Sequence, residues 1–107
     1  TLYSGDSTRD ATVVKVVDGD TVRFADWRKP ARLEGIDAPE MDGPNRGEAL
    51  QARSALTEKL DAADRIEVEQ VGRGHYGRPV VEVWAVNGQD RENVSDWLRA
   101  EGLARAG

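Results

Sequence analysis

Three short segments carry residue types whose spacing suits chemistry: Asp18-Gly19-Asp20-Thr21, the run RLEGIDAPE at residues 32–40, and Tyr76-Gly77-Arg78. Asp20 and Asp37 each close a predicted strand, and strand ends distant in sequence become neighbours in a small barrel. Two carboxylates with backbone carbonyls and water make an open site for Ca²⁺. Glu40 stands three residues beyond Asp37, where a further carboxylate can position or deprotonate a water. Arg32 and Arg78 bring planar forks that match phosphate oxygens two at a time. A hard cation, a base and two phosphate clamps are what hydrolysis of a phosphodiester requires. Each residue also has a plainer reading. Asp-Gly-Asp makes a good turn, Arg32 can sit in an ion pair with Glu34 or another acid, and Glu40 and Arg78 can be solvated loop residues. The coincidence of the whole set favours chemistry.

Composition narrows that chemistry. The 107 residues include no cysteine and one histidine, His75. Disulfides, thiolate zinc sites, a cysteine nucleophile and a His-rich metal site are therefore excluded. Any metal must be held by oxygen, which selects Ca²⁺, Mg²⁺ or Mn²⁺. The net charge of -5 argues against a dedicated DNA-binding protein, whose affinity rests on neutralising phosphates. Its distribution is uneven, however. Asp61, Asp64, Glu67 and Glu69 share one stretch, whereas Arg73, His75 and Arg78 share another without an intervening acid. The pattern is an acidic body with a basic mouth. No apolar run approaches the length of a membrane-crossing helix, so no membrane partner is expected. The first four residues lack the basic and apolar regions of a secretory signal.

The elements that must position these residues follow from patterning. Residues 1–10 are polar and unpatterned, and are expected to be a loose lead-in to a single domain at 11–107. Strands are expected at 11–17, 21–24, 31–36, 65–71 and 80–86, with a turn at Asp18-Gly19-Asp20 between the first two. Pro39 forces Ala38 into an extended conformation and closes the third strand. Between the third and fourth strands the stripe Ala49, Ala52, Leu56, Leu60 predicts a helix over 47–60, with Asn45 and Glu48 as a capping pair. Asn87-Gly88 predicts a turn. Asn93 predicts the cap of a final helix that buries Val94, Trp97, Leu98 and Leu103 and stops at Gly102. Asn93-Val94-Ser95 also fits a glycosylation sequon, but a capping side chain is already occupied. The expected fold is α+β, mainly β: a five-stranded OB barrel with a helix between strands three and four and a helix at the C-terminal end.

The same segments, in order, resemble the staphylococcal nuclease family of thermonuclease-like OB-fold domains. The matching stretches are VKVVDGDT (residues 14–21), RLEGIDAPE (32–40), YGR (76–78) and NVSDWLRAEGLA (93–104). The resemblance implies direct Ca²⁺ ligation by Asp20, Asp37 and the backbone carbonyl of Ala38, with Asp18 behind the ligands. It implies Glu40 as general base, Arg32 and Arg78 as clamps on the scissile phosphate, and His75 and Tyr76 against a terminal phosphate. The implied activity is Ca²⁺-dependent cleavage of single-stranded DNA and RNA at the 5′ P–O bond, leaving 3′-phosphate ends. The alternative is a non-catalytic nucleic-acid- or protein-binding module, as in related domains that have lost catalytic residues. The retention of Asp20, Arg32, Asp37, Glu40 and Arg78 weighs against it. A monomer, secreted or extracytoplasmic, is the expected state. Among its departures from the staphylococcal enzyme, Ala38 stands where that enzyme has Thr, and the loop at 41–47 is shorter. The acidic pI near 4.9 implies weaker non-specific DNA affinity and a steep loss of activity with salt.

Overall fold

The first predicted strand is bent into two. Arg9–Ala11 form β1 and Val13–Asp18 form β2, with only Thr12 between them. β1 pairs antiparallel with β6 (Arg65–Arg73), placing Arg9 opposite Val68. β2 pairs antiparallel with β3 (Thr21–Phe24), placing Val16 opposite Val22. The computed structural model describes residues 8–41, 43–74 and 77–107. In it the main sheet runs β1-β6-β7-β4-β3-β2, where β4 is Ala31–Leu33 and β7 is Pro79–Asn87. The two halves of one bent segment thus edge the sheet on both sides, so the sheet curls. Arg9 and Asp10 belong to that curl, not to a loose lead-in, because their backbone is engaged by β6. The remainder of the expected lead-in, at 1–7, lies outside the described residues.

The order around the sheet is that of an OB-like α+β fold. β4 and β7 pair in parallel, with Arg32 opposite Val80 and Leu33 opposite Val81. The inward faces of β3, β4, β6 and β7 supply Val22, Phe24, Leu33, Val68, Val81 and Val83 to one core. α1 (Arg46–Ala62) precedes β6 in the chain and buries Ala49, Ala52, Leu56 and Leu60, the stripe expected from its spacing. Asn45 is its N-cap residue, but the Asn45 side chain makes no capping bond. The expected capping pair is therefore not formed. α2 (Val94–Ala100) buries Val94, Ser95 and Leu98. Asn93 caps it, its side chain accepting from the Asp96 N–H at 3.0 Å. Trp97 is only half-buried, with the Lys59 ammonium over its ring at 4.9 Å. Gly102, at φ +73°, takes the left-handed turn that ends the helix.

Three details depart from the sequence reading. The third strand is interrupted at Glu34-Gly35, where Gly35 adopts φ +80°. It resumes as β5 (Ile36–Asp37), which pairs with β9 (Arg105–Ala106) so that Asp37 faces Arg105. β8 (Asp90–Asn93) forms a hairpin with β7. Both β8 and β9 are polar or very short, and carry no alternating apolar pattern to announce them.

Candidate active site

The site is built outward from Asp20. Its hairpin is held down by packing: a Cβ on Gly19 would stand 2.8 Å from the Cβ of Ala38 and 2.8 Å from that of Ala52. Gly19 is not among the residues with positive φ. The Asp-Gly pair thus serves close approach to α1 here, rather than a left-handed turn. With the turn seated, the backbone carbonyl of Asp20 accepts from the Leu33 N–H at 2.8 Å. Its carboxylate, 9% exposed, receives Arg32 Nη1 at 2.8 Å on Oδ2. The same oxygen accepts from the Ala38 N–H at 2.9 Å, while Oδ1 accepts from the Thr21 hydroxyl at 3.0 Å. One buried side chain therefore ties the β2–β3 turn, β4 and the segment after β5 together.

Arg32 extends this knot to the surface. Its Nη2 donates to the Ile36 carbonyl at 3.0 Å and lies 3.5 Å from Asp37 Oδ1. The Gly35 turn brings Ile36 and Asp37 back within reach of that fork. The turn is itself fixed from α2, where Arg99 Nη1 donates to the Gly35 carbonyl at 3.0 Å. Arg32 thus pairs with Asp20 and Asp37, whereas Glu34 is exposed and, among the described residues, forms no ion pair with it. Asp37 is 68% exposed on its side chain.

The carboxylates of Asp18 and Asp20 divide their ionisation. Asp18 is half-buried, and its Oδ1 accepts the Asp20 N–H at 3.1 Å. Burial, followed by the hydrogen bond and charge of Asp20, pushes its carboxyl up from 3.8 to about 6. Burial alone would raise Asp20 as well. Hydrogen bonds from Asp18, the Ala38 N–H and Arg32 outweigh it and hold Asp20 below the usual carboxylate range. Asp20 is the member of the pair held toward its charged form.

Glu40 is exposed. It lines a 470 Å³ cleft with Val17, Asp18, Met41 and Arg46. Arg78 is half-buried and precedes β7 in a turn closed by the Gly74 N–H to the Arg78 carbonyl at 2.7 Å. The parallel β4–β7 register places it two residues before Val80, the partner of Arg32. Among the described residues no hydrogen bond or ion pair joins Arg78 to Asp20, Asp37 or Glu40. His75 and Tyr76 lie outside the described residues.

Residues 30–107 match the family described as staphylococcal nuclease homologue. The chain belongs to this family. Two proteins named "Uncharacterized endonuclease", one from Escherichia coli O157:H7 and one from Escherichia coli, are each 32% identical to it over 94 residues. Each of these alignments covers 86% of this chain and 57% of the relative. The chain thus spans little more than half the length of the curated relatives it matches.

In this member of the nuclease-homologue family the donors at the site are all oxygen, the kind a hard cation would take. Two carboxylates converge on one guanidinium. Arg32, the Ala38 N–H, the Thr21 hydroxyl and Asp18 together meet the acceptor positions of Asp20, whereas Asp37 is nearly uncommitted. Among the described residues no cluster of three or more His, Cys, Asp or Glu side chains is arranged to hold a metal. Any cation held here would have few side-chain donors, and backbone oxygen and water would complete its shell. Sequence reasoning passed over Glu48 and Arg105, which with Asp37, Ala38 and Pro39 line a 280 Å³ cleft beside Asp37. Glu48 was masked by its resemblance to a capping residue. Arg105 was masked by the two-residue length of β9.

Proposed function

We propose that the chain hydrolyses phosphodiester bonds in nucleic acid, with Ca²⁺ as its metal and single-stranded DNA and RNA as its substrates. The observation that carries this reading is the convergence of Asp20 and Asp37 on Arg32, with Glu40 at the adjoining cleft. Asp20, Asp37 and the Ala38 carbonyl are the residues that would hold the cation, which supplies positive charge against the scissile phosphate and its attacking oxygen. Glu40 takes a proton from the attacking water. The water oxygen bonds to phosphorus in line as the bond to the 5′-oxygen breaks. That oxygen leaves as an alkoxide that takes a proton from solvent water to become the 5′-hydroxyl, and the phosphate stays on the 3′ side. Arg32 and Arg78 oppose the charge that grows on the phosphoryl oxygens. For Arg32 the phosphate competes with its weakest partner, Asp37 at 3.5 Å, not with Asp20.

The test is cleavage of heat-denatured DNA by the purified protein with Ca²⁺, then with excess chelator, beside Glu40→Gln. The expected result is metal-dependent cleavage that falls at least about 100-fold in the variant. End-labelling should place the phosphate on the 3′ side of the cut. Folded protein that fails to cleave with Ca²⁺ would overturn the reading. Full activity in Glu40→Gln would remove the base from its role.

A further inference from the structure

A second cleft, of 440 Å³, opens beside the turn that joins β3 to β4. Its lining includes Arg9 from β1, Trp27, Arg28 and Lys29 from the turn, and Gln70 and Arg73 from β6. Asp26 is the one carboxylate among the lining residues. In a chain of net charge -5, four cationic side chains against one acid make a local reversal of sign. Among the described residues Arg9, Arg28 and Arg73 form no ion pair. Arg32, Arg65, Arg91 and Arg99, by contrast, all hold carboxylates. Arg73 is directed instead to a backbone carbonyl, donating from Nη1 to Gly77 at 3.2 Å.

Trp27 supplies an aromatic platform within that ring of charge. It is half-buried and packs against the core. Phe24 fixes it from one side at 5.5 Å between ring centroids, tilted by 54°. The preceding Asp26 takes φ +70°, an uncommon conformation tolerated by Asp, and so sets the turn from which Trp27 is presented. A held indole loses little freedom when a base stacks on it, and unpaired guanidiniums gain most from phosphates.

The cleft borders the loop that carries Arg78. Gly77 and Pro79 line it and flank Arg78. Gly77 sits at φ +74°, and a Cβ there would lie 3.3 Å from Lys29 Nζ. The missing side chain lets the cationic turn approach the loop that carries the proposed clamp. We propose that this cleft binds single-stranded nucleic acid away from the scissile bond, one base stacked on Trp27 and neighbouring phosphates on Arg9, Arg28 and Arg73. The substrate class rests on the nuclease reading, while the binding site is separable from it.

The test uses fluorescence anisotropy of a labelled 12-nucleotide oligothymidylate in excess chelator, together with steady-state cleavage in Ca²⁺. Trp27→Leu keeps an apolar side chain against Phe24 and removes the stacking face. It should weaken 12-mer binding by about fivefold or more, raise KM for the 12-mer, and leave kcat within about twofold. Arg28→Gln and Arg73→Gln should each lower the salt slope of binding by about 0.7, and they decide the question if Trp27→Leu fails to fold. Wild-type protein that does not bind the 12-mer at low salt would overturn the inference. So would folded Trp27→Leu, or both arginine variants, binding like wild type. Trp27-dependent binding without cleavage would sink the hydrolase reading and leave the cleft standing; cleavage with Trp27-independent binding would do the reverse.

Discussion

Substituting Gly19 with Ala tests whether packing, rather than turn chemistry, seats Asp20. The added Cβ would meet the Cβ atoms of Ala38 and Ala52 at 2.8 Å each, about 1 Å inside ordinary carbon contact distance. Neither neighbour can rotate away, because an alanine Cβ is fixed to its backbone. Relief must come from moving the hairpin off α1 or the 38 segment off the hairpin. Overpacking of this kind costs about 1–3 kcal/mol. The backbone at Gly19 is not left-handed, so Ala recovers about 0.4–1 kcal/mol by restricting the unfolded chain. The net expectation is a loss of about 1–2 kcal/mol, or roughly 4–16 °C in Tm for a domain of this size. Urea denaturation of Gly19→Ala beside Gly19→Ala/Ala52→Gly measures it. Ala52→Gly alone costs about 1 kcal/mol of helix propensity, so a real clash appears as favourable coupling of at least about 0.5 kcal/mol in the double variant. Gly19→Ala as stable as wild type, or strictly additive with Ala52→Gly, would refute the clamp.

The Asp18 carboxyl, raised to about 6 in the fold, binds its proton more tightly in the folded than in the unfolded chain. Its stabilisation is therefore complete below the unfolded value and is lost as pH rises through about 6. Asp18→Asn should flatten stability between about pH 4 and 7. It should gain on wild type at about pH 8, by at most roughly 3 kcal/mol before solvent screening reduces it. Identical pH profiles by urea titration would exclude the coupling. Asn93→Ala removes the acceptor of the Asp96 N–H and should cost about 1 kcal/mol in thermal denaturation. A shift below about 0.3 kcal/mol would mean that the cap is satisfied by water.

Much of this arrangement was legible in the sequence because local chemistry and tertiary context agree there. The stripe from Ala49 to Leu60 has one way to bury itself, and Asn93 before a helical pattern has one obvious task. β2, β3, β6 and β7 are β-branched and alternating, so their existence and nearly their limits could be read. The bend at Thr12 could not. It answers to the pairing partners of β1 and β2, which lie far along the chain. The break at Gly35 was hidden for a similar reason, since its carbonyl is met by Arg99 from α2. At the site, the identities of Asp20, Arg32 and Asp37 pointed to one cluster, which the fold assembles. What spacing did not convey was the order of obligation within it: Arg32 spans both carboxylates, Asp20 is buried and Asp37 is open. Such facts reside in burial, and burial is a property of the closed sheet.

That unequal obligation changes how a descendant of this domain should be read. Asp20 is held by Arg32, Thr21 and the Ala38 N–H, so a lineage that abandoned catalysis would still be selected to keep it for folding. Arg32 shares that protection. Under the proposed hydrolysis, Asp37, open to solvent and among the described residues within reach of one side-chain partner at 3.5 Å, has almost no structural debt and would be free to drift if catalysis were lost. Retained Asp20 and Arg32 therefore speak for architecture, and the fate of Asp37 and Glu40 is the better record of whether a relative still has a reaction to perform.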